Sequence, residues 1–385
     1  MLQKIIIYCI YLIVFSLPLY LVSFKIGWIP FTLLEIMIYC LFGLWLILKT
    51  RDRKFRLKLD QGVGFWLPIF LIFLGVTIST WLSDDIIISA GIWKGWFIAP
   101  LLFLIVLINY LKSKEQIKNI FLALTLSGFL VALISIIYWL NNNLTYDGRV
   151  QAFYLSPNYL AMYLSPILIL SVYLYSYFKK KSLKIILFAV QCFLFVVIYL
   201  TFSYGAWLGL CAAFVFILFF KSRVPKKYFF VLLIILVCLS FFDFSIPSSL
   251  ESRFAIWQSA WEIIKDHPLF GIGPGMFQEY YLDYQPRFEP YPDWAVPQPH
   301  NLFMAFWLQT GLLGLIGFVW LLIKFFKISF KKLSTIHYPL FTVLMATMVY
   351  ILIHGLIDTT FWKNDLSVIF WLITGLSCIA NRPSY

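Results

Sequence analysis

The sequence predicts an all-α polytopic membrane protein, and two observations support that prediction. Of the 385 residues, 62% are apolar or aromatic and only 12% are charged, whereas a soluble domain carries roughly 25% charged residues. The apolar residues are grouped into stretches of about 20, the length that crosses a hydrocarbon core about 30 Å thick. With a mean hydropathy of +0.89, a soluble globule and a disordered chain are both excluded.

Twelve apolar stretches match the length of a transmembrane helix. Their approximate bounds are 5–24, 29–48, 63–82, 92–111, 119–140, 155–178, 183–202, 205–220, 228–244, 301–323, 338–356 and 366–380. Residues 1–385 are therefore expected to form a single integral membrane domain, with the lipid bilayer as its main partner.

The distribution of basic residues supports this count. A net charge of +13 can indicate nucleic-acid binding, but 21 of the 30 Lys and Arg residues lie in short runs between the apolar stretches. The five runs are 49–58, 112–118, 179–184, 221–227 and 324–332. If the N-terminus is cytoplasmic, all five runs lie on the cytoplasmic side, as the positive-inside rule requires. We therefore predict twelve spans, cytoplasmic termini and no nucleic-acid partner.

One connection is much longer than the others. Residues 245–299, between the ninth and tenth predicted spans, contain eight of the 17 prolines and are expected to lie outside the membrane. Within them, Phe254, Trp257 and Trp261 have approximately helical spacing, which predicts a helix over 249–265 that lies on the membrane surface with an aromatic face. An ordered loop of this length is typical of a functional segment.

Three polar residues near the predicted outer face are candidates for catalysis. His300 is expected at a helix N-terminus, where the helix dipole favours the neutral imidazole that a general base requires. Alternatively, His300 hydrogen-bonds a loop carbonyl. The guanidinium groups of Arg149 and Arg253 match the oxygens of a diphosphate, although interfacial arginines also anchor helices by snorkelling.

Other polar residues near this face are weaker candidates. His354 and Asp358 are spaced by four residues, which would place them on one helix face within hydrogen-bonding reach. The adjacent pair Asp84 and Asp85 has no third ligand nearby, which favours a solvated turn over a metal site. No metal or other cofactor is therefore predicted.

Four stretches, in this order and at this spacing, resemble the O-antigen ligase and polymerase-like bacterial membrane proteins. They are 148–161 (GRVQAFYLSPNYLA), 201–209 (TFSYGAWLG), 253–275 (RFAIWQSAWEIIKDHPLFGIGPG) and 299–303 (PHNLF), the last followed by Gly311-Leu-Leu-Gly314. The resemblance extends over about the last 240 residues.

The resemblance implies a GT-C-like fold and a metal-independent glycosyltransferase. Such an enzyme moves a glycan from a polyprenyl-diphosphate carrier to a hydroxyl of an acceptor glycolipid or glycan, at the outer face of the bacterial cytoplasmic membrane. By motif, His300 would be the base and Arg253 the diphosphate ligand, facing one cavity. The further substrate-binding candidates are Arg149, Lys94, Tyr204, Asn301, His354 and Asp358. Lipopolysaccharide ligase and polysaccharide polymerase both remain open.

The second stretch departs from the family pattern. Where the family commonly has Ser-Arg-Gly, this chain has Ser203-Tyr204-Gly205, so Arg149 or Lys94 would have to supply the missing cation, or the donor differs, or activity is weakened. Two alternatives follow. One is a transporter of a small anion such as bicarbonate, for which Glu35 and Gln191 are the deeper polar residues, and the other is a catalytically inactive relative.

Overall fold

The computed structural model describes residues 2–27, 29–51, 64–221, 248–289, 294–333 and 338–382. Helices account for most of this part of the chain. They are α1 (Leu2–Phe15), α2 (Leu33–Arg51), α3 (Trp66–Trp81), α4 (Ile86–Ile92), α5 (Ala99–Tyr110), α6 (Lys114–Leu140), α7 (Pro157–Ser171), α8 (Lys181–Leu200), α9 (Tyr204–Lys221), α10 (Ser248–Asp266), α11 (Phe277–Tyr284), α12 (Leu302–Lys332), α13 (Tyr338–His354) and α14 (Asn364–Ala380). One turn of π-helix, Trp93–Ile98, joins α4 to α5.

Six helical stretches within the described residues are long and apolar enough to cross a membrane. They are Leu33–Thr50, Ile86–Tyr110, Lys114–Leu140, Pro157–Ser176, Lys181–Leu200 and Leu302–Lys332. Five shorter apolar helices, Lys4–Phe15, Trp66–Trp81, Tyr204–Phe220, Pro339–His354 and Asn364–Ala380, coincide with further predicted spans. The predicted ninth span, 228–244, lies outside the described residues. The polytopic helical class is confirmed, whereas the total of twelve spans stays a prediction.

The start of the chain departs from the all-helical prediction. Strand β1 (Ser23–Ile26) pairs antiparallel with β2 (Ile29–Thr32), with Ser23 opposite Thr32. Gly27 has a φ of 62° at the turn, a conformation that glycine adopts without steric cost. This small hairpin occupies the ends of two stretches that the hydropathy pattern assigned to helices, because hydropathy reports apolar content and not backbone conformation.

Burial separates central helices from peripheral ones. All residues of α14 are buried, and so are most residues of the 157–176 stretch that contains α7. In contrast, few residues of α8 are buried, and its exposed side chains include Ile185, Ile186 and Phe188. A helix that is apolar all round and largely exposed is expected to face lipid. Helix α8 is therefore peripheral, whereas α7 and α14 are packed inside the helical bundle.

Glycines bring α3 and α12 unusually close together. A Cβ added to Gly75 would lie 2.5 Å from the backbone nitrogen of Gly314. Likewise, a Cβ on Gly317 would lie 2.8 Å from the backbone nitrogen of Ile72 and from the carbonyl oxygen of Pro68. Close backbone approach at small residues is a general way of packing helices in lipid, where van der Waals contact replaces the hydrophobic effect.

The described residues of the long connection form a second, smaller core against the first turns of α12. The buried face of α10 is aliphatic, whereas Phe254 and Trp261 are 59% and 45% exposed. The helix predicted over 249–265 is confirmed, and two of its aromatic residues lie on its exposed side; its position on the membrane surface stays a prediction. The buried residues of this core include Ile256, Ala260, Ile263, Ile264, Ile272, Met276, Phe277 and Leu308.

A glycine-rich turn attaches this smaller core to the helical bundle. Gly271, Gly273 and Gly275 have φ values of 68°, 94° and 86°, which side-chain-bearing residues rarely adopt. The turn carbonyl of Pro274 accepts a 2.9 Å hydrogen bond from the Ser89 hydroxyl. The turn also contacts α12, since the N–H of Ile272 donates a 2.7 Å hydrogen bond to the carbonyl oxygen of Leu308.

We expect Gly317→Ala to lower the melting temperature of the purified protein in detergent. The new methyl group would force α3 and α12 apart, and overpacking of this kind costs about 1–3 kcal/mol. Gly43→Ala in α2 is the matched control, because a Cβ there meets nothing within 4 Å. Equal melting curves for the two variants would show that close α3–α12 packing is not needed for stability.

Candidate functional site

A buried carboxylate, Asp358, lies at the centre of the candidate site. Helix α13 ends at His354, so Asp358 belongs to the following turn and is only 2% exposed. Its Oδ1 accepts a 2.8 Å hydrogen bond from the backbone N–H of Thr359 and lies 3.1 Å from Nδ1 of His300. Its Oδ2 accepts a 2.9 Å hydrogen bond from the side-chain amide of Asn158.

The direction of these hydrogen bonds is set by Arg149, which can only donate. Its Nη2 donates to Oδ1 of Asn158 at 2.8 Å, and its Nε donates to the carbonyl oxygen of Thr201 at 2.7 Å. The amide NH2 of Asn158 therefore points to Asp358. An ionised carboxylate is acceptor-only, so His300 must donate through Nδ1–H, which leaves Nε2 as a hydrogen-bond acceptor.

Local structure holds His300 in place for this contact. Its φ is 47°, a left-handed conformation that is uncommon for a residue with a side chain, and its carbonyl oxygen accepts a 3.2 Å hydrogen bond from the indole of Trp257. The next residue, Asn301, caps α12 by accepting from the N–H groups of Phe303 and Met304. The amide NH2 of Asn301 also donates to the carbonyl oxygen of Leu356 in the α13–α14 connection. The substrate-binding role of Asn301 stays a prediction.

The positive groups around Asp358 affect the pKa of its carboxyl more strongly than burial does. Burial acts to raise the pKa of the Asp358 carboxyl, but His300, Arg253 and His354 together hold that pKa below its usual range. Burial lowers the pKa of the Arg149 guanidinium, Arg253 lowers it further, and Asp147 opposes both. The carboxylate therefore stays ionised, and the positive charges of the two arginines repel each other.

A first cavity of about 350 Å³ places both arginines in one space. Arg149 comes from the loop before α7, and Arg253 comes from α10. Tyr204, at the start of α9, lines the same cavity, so Arg149 supplies a second guanidinium next to the position where the family commonly has arginine. The lining residues are Asp147, Arg149, Asn158, Phe202, Ser203, Tyr204, Gly205, Arg253, His354, Ile357 and Asp358.

A second cavity of about 470 Å³ contains His300. Asp358 and Asn158 line both cavities and form the wall between them. The expectation that His300 and Arg253 face one cavity is therefore wrong, because the two residues line adjacent cavities that share this wall. The second cavity is lined by Ile92, Trp96, Leu155, Ser156, Asn158, Tyr159, Gly275, Pro297, Gln298, His300, Asp358 and Lys363.

Residues 187–319 match the family model described as O-antigen ligase. This part of the chain is O-antigen ligase-like. The match extends from α8 into α12 and includes Tyr204, Arg253 and His300, so it supports a membrane glycosyltransferase of bacteria that acts on lipid-linked glycans. No curated protein matches the sequence.

Several residues of the candidate site lie outside the matched segment. Arg149 and Asn158 precede it, and Asp358 follows it. Asn158 was part of a family-like stretch but was not predicted as a site residue, because its role depends on contact with a residue 200 positions away. The side chains of Trp96, Tyr159 and Lys363 were also missed, and only the fold brings them to the second cavity.

Lys94 lies in neither cavity. Its ammonium forms an ion pair with the buried Glu35 and lies 4.2 Å from the ring centroid of Phe31. Gln191, the other deep polar residue, donates to Ser171 and accepts from Tyr175. Lys94 therefore does not replace the family arginine as a ligand in the first cavity, and the two residues considered for an anion path are occupied by contacts within the protein.

His354 lines the first cavity but does not form the predicted helix-face pair with Asp358. The helix ends at His354, and its Nδ1 lies 2.8 Å from the hydroxyl of Tyr350. The absence of a side chain at Gly205 makes room for its ring, since an added Cβ would lie 2.4 Å from Cδ2 of His354. The glycine that follows Tyr204 at the start of α9 thus has a steric reason.

Asp84 and Asp85 lie in the turn before α4, where Asp84 is exposed and Asp85 is half-buried, as the prediction of a solvated turn requires. Both also make contacts within the protein. Asp85 caps α4 by accepting from the N–H groups of Ile87 and Ile88, and Asp84 accepts a 2.6 Å hydrogen bond from the Tyr280 hydroxyl. Among the residues that the structure describes, no group of three His, Cys, Asp or Glu side chains is arranged to hold a metal ion.

We expect Asp358→Asn to reduce glycan transfer by up to the roughly 10²–10⁴-fold that a general base contributes. Asparagine keeps one acceptor oxygen but has no charge, and its NH2 would face a donor on His300 or Asn158, so the site loses the carboxylate that fixes the His300 tautomer and stabilises the imidazolium. Transfer is measured as surface glycan in a strain that carries only the variant gene, with protein level checked by immunoblot. Asp283→Asn, at an exposed carboxylate of α11, is the control, and equal glycan in both strains would remove Asp358 from the mechanism.

Proposed function

We propose that the protein transfers a glycan from a polyprenyl-diphosphate carrier to an acceptor hydroxyl at the outer face of the bacterial cytoplasmic membrane. The observation that supports this most directly is the His300–Asp358 pair, which shares a wall with a cavity that contains two arginines. A base next to a diphosphate-sized cationic cavity matches the chemistry of transfer from a sugar diphosphate.

The proposed base is Nε2 of His300. Asp358 holds Nδ1–H, which orients the ring and stabilises the imidazolium that forms when Nε2 takes a proton, as a carboxylate does in other histidine bases. The carboxylate is itself supported by Asn158 and by the Thr359 N–H. The ring is therefore held in one tautomer before substrate binds.

The proposed diphosphate ligands are Arg253 and Arg149. Guanidinium groups remain charged at any relevant pH and match phosphate oxygens in geometry. Because the two arginines repel each other, a bound diphosphate would relieve that repulsion. The phenol of Tyr204 adds a neutral hydrogen-bond donor at the same cavity.

The reaction then proceeds as a displacement at the anomeric carbon. His300 accepts the proton of the acceptor hydroxyl while that oxygen forms a bond to the anomeric carbon. The bond from this carbon to the diphosphate oxygen breaks, and its electron pair leaves with the diphosphate. Arg253 and Arg149 stabilise the negative charge that develops, and such preorganised electrostatic stabilisation is often the largest contribution to catalysis.

We expect Arg253→Ala and His300→Ala to abolish transfer for different reasons. The arginine variant should lose affinity for the carrier, whereas the histidine variant should bind it normally, because His300 does not line the first cavity. Loss of one charge-stabilising donor typically costs about 10²–10³-fold in rate. Binding is measured with undecaprenyl diphosphate on purified protein in nanodiscs, and transfer as surface glycan in cells.

Arg287→Ala is the matched control for the arginine variant. Arg287 lies in the same long connection, and its guanidinium stacks 4.2 Å from the ring centroid of Tyr284. It should change neither carrier binding nor surface glycan. Full transfer by His300→Ala would refute the proposed base, and normal carrier binding by Arg253→Ala would refute the proposed diphosphate site.

Transfer is further proposed to need no divalent metal, because the two guanidinium groups supply the positive charge that a metal ion provides in other phosphate chemistry. We expect purified protein and membranes washed with a chelator to retain full transfer of a lipid-linked glycan. Activity that is lost on chelation and restored by added magnesium or manganese would contradict this. Arg253→Ala should stay inactive in the presence of either ion.

A further inference from the structure

The second cavity has a chemical character distinct from the first. One wall carries His300 and Asp358, and another carries the rings of Trp96 and Tyr159 together with the ammonium of Lys363. Aromatic rings in a polar cavity provide flat apolar surfaces, which suit the apolar face of a pyranose ring. The cavity of about 470 Å³ falls within the usual range of small-molecule sites.

The position of Trp96 is fixed by a buried polar network. Its indole N–H donates to Oδ1 of Asn364 at 2.9 Å, and the amide NH2 of Asn364 donates to Oε1 of Glu35 at 2.9 Å. Glu35 is 4% exposed and forms the ion pair with Lys94. Gly95 is required beside it, since an added Cβ would lie 2.5 Å from Glu35 Oε1.

The same network gives a structural role to Glu35 and Lys94, which take no part in the proposed transfer reaction. Glu35 and Lys94 compensate each other's charge, and their remaining function is to hold Asn364 in the orientation that bonds Trp96. A buried ion pair is weak evidence for stability on its own. Here it orients an aromatic ring at the wall of a cavity, which is a typical feature of a built binding site.

Lys363 gives the second cavity a positive charge. Its ammonium lies 4.5 Å from the ring centroid of Tyr159 and 5.7 Å from that of Trp96. Within the described residues no carboxylate forms an ion pair with it, and Asp358, the one acidic residue of the cavity lining, is hydrogen-bonded to His300 and Asn158. Burial lowers the pKa of the Lys363 ammonium, and Asp365 opposes this effect. A partly buried cation in this setting favours an anionic ligand.

We propose that the second cavity is the acceptor subsite and that it binds a saccharide carrying an acidic group. The sugar ring would pack on Trp96, and Lys363 would pair with the carboxylate or phosphate. The inference rests on the proposed function, because it assigns the acceptor to the cavity that contains the base. Since Asp358 and Asn158 separate the two cavities, donor and acceptor would meet at this shared wall.

The test is saturation-transfer NMR with purified protein in nanodiscs and three probes: glucuronate, glucose 6-phosphate and glucose. At least one acidic sugar should bind more tightly than glucose by roughly tenfold, the effect of one charge-assisted hydrogen bond. Lys363→Met, which keeps the length of the side chain, should remove this preference, and Lys363→Arg should keep it. Comparison of the two acidic probes distinguishes a carboxylate from a phosphate ligand.

Trp96→Ala should weaken binding of all three sugars, whereas Trp294→Ala, at a 70% exposed indole outside the cavity, should not. Equal binding of acidic and neutral sugars, or an unchanged preference in Lys363→Met, would overturn the proposed charge recognition. Absence of any saturation transfer, or unchanged binding in Trp96→Ala, would overturn the subsite itself.

The variant Arg253→Ala separates this inference from the proposed function. Because Arg253 lines the first cavity and not the second, the variant should bind the acidic sugar as the wild type does and transfer no glycan in cells. If it transfers glycan normally while acidic-sugar binding still depends on Lys363, the cavity is a saccharide site but the proposed chemistry is wrong. If it transfers none and sugar binding does not depend on Lys363 or Trp96, the chemistry stands and the acceptor subsite is overturned.

Discussion

The buried, ionised carboxylate of Asp358 is the constraint on which the polar arrangement of the site depends. A charge removed from water is tolerated only when it is paired and hydrogen-bonded, and Asp358 meets this requirement through His300, Asn158 and the Thr359 N–H. Each of those donors is in turn held by another element of the fold. The carboxylate therefore connects the loop before α7, the start of α12 and the end of α13 into one unit.

That unit also determines how the two cavities can be used together. The arginine-lined cavity and the cavity with His300 have only Asp358 and Asn158 in common. A substrate in either cavity would change the charge around Asp358. In the first cavity, a diphosphate would offset the charges of the arginines. In the second cavity, loss or gain of a proton would change the charge of His300. Binding on one side is thereby coupled electrostatically to proton transfer on the other.

The sequence predicted the class of the fold and singled out several residues that line the cavities, but not how they are grouped. Apolar stretches of membrane length predicted the helices, and the motifs around Arg253 and His300 singled out residues that line the cavities. The spacing of His354 and Asp358 was misleading because the helix ends between them. Contacts such as Asn158 with Asp358 or Trp96 with Asn364 join residues 200 and 268 positions apart, and no local pattern reports them.

The departure at Tyr204 can be understood from the charges in the first cavity. Arg149 and Arg253 already repel each other there, and Asp147 only partly offsets the effect on Arg149. A third guanidinium in the same cavity would add to that repulsion, whereas a phenol supplies a hydrogen-bond donor without charge. Arg149 is itself restrained by hydrogen bonds to Thr201 and Asn158. It therefore has two roles, which an arginine at the position of Tyr204 would not need to combine. It contributes positive charge to the cavity, and it fixes the amide that orients Asp358 and, through it, the imidazole.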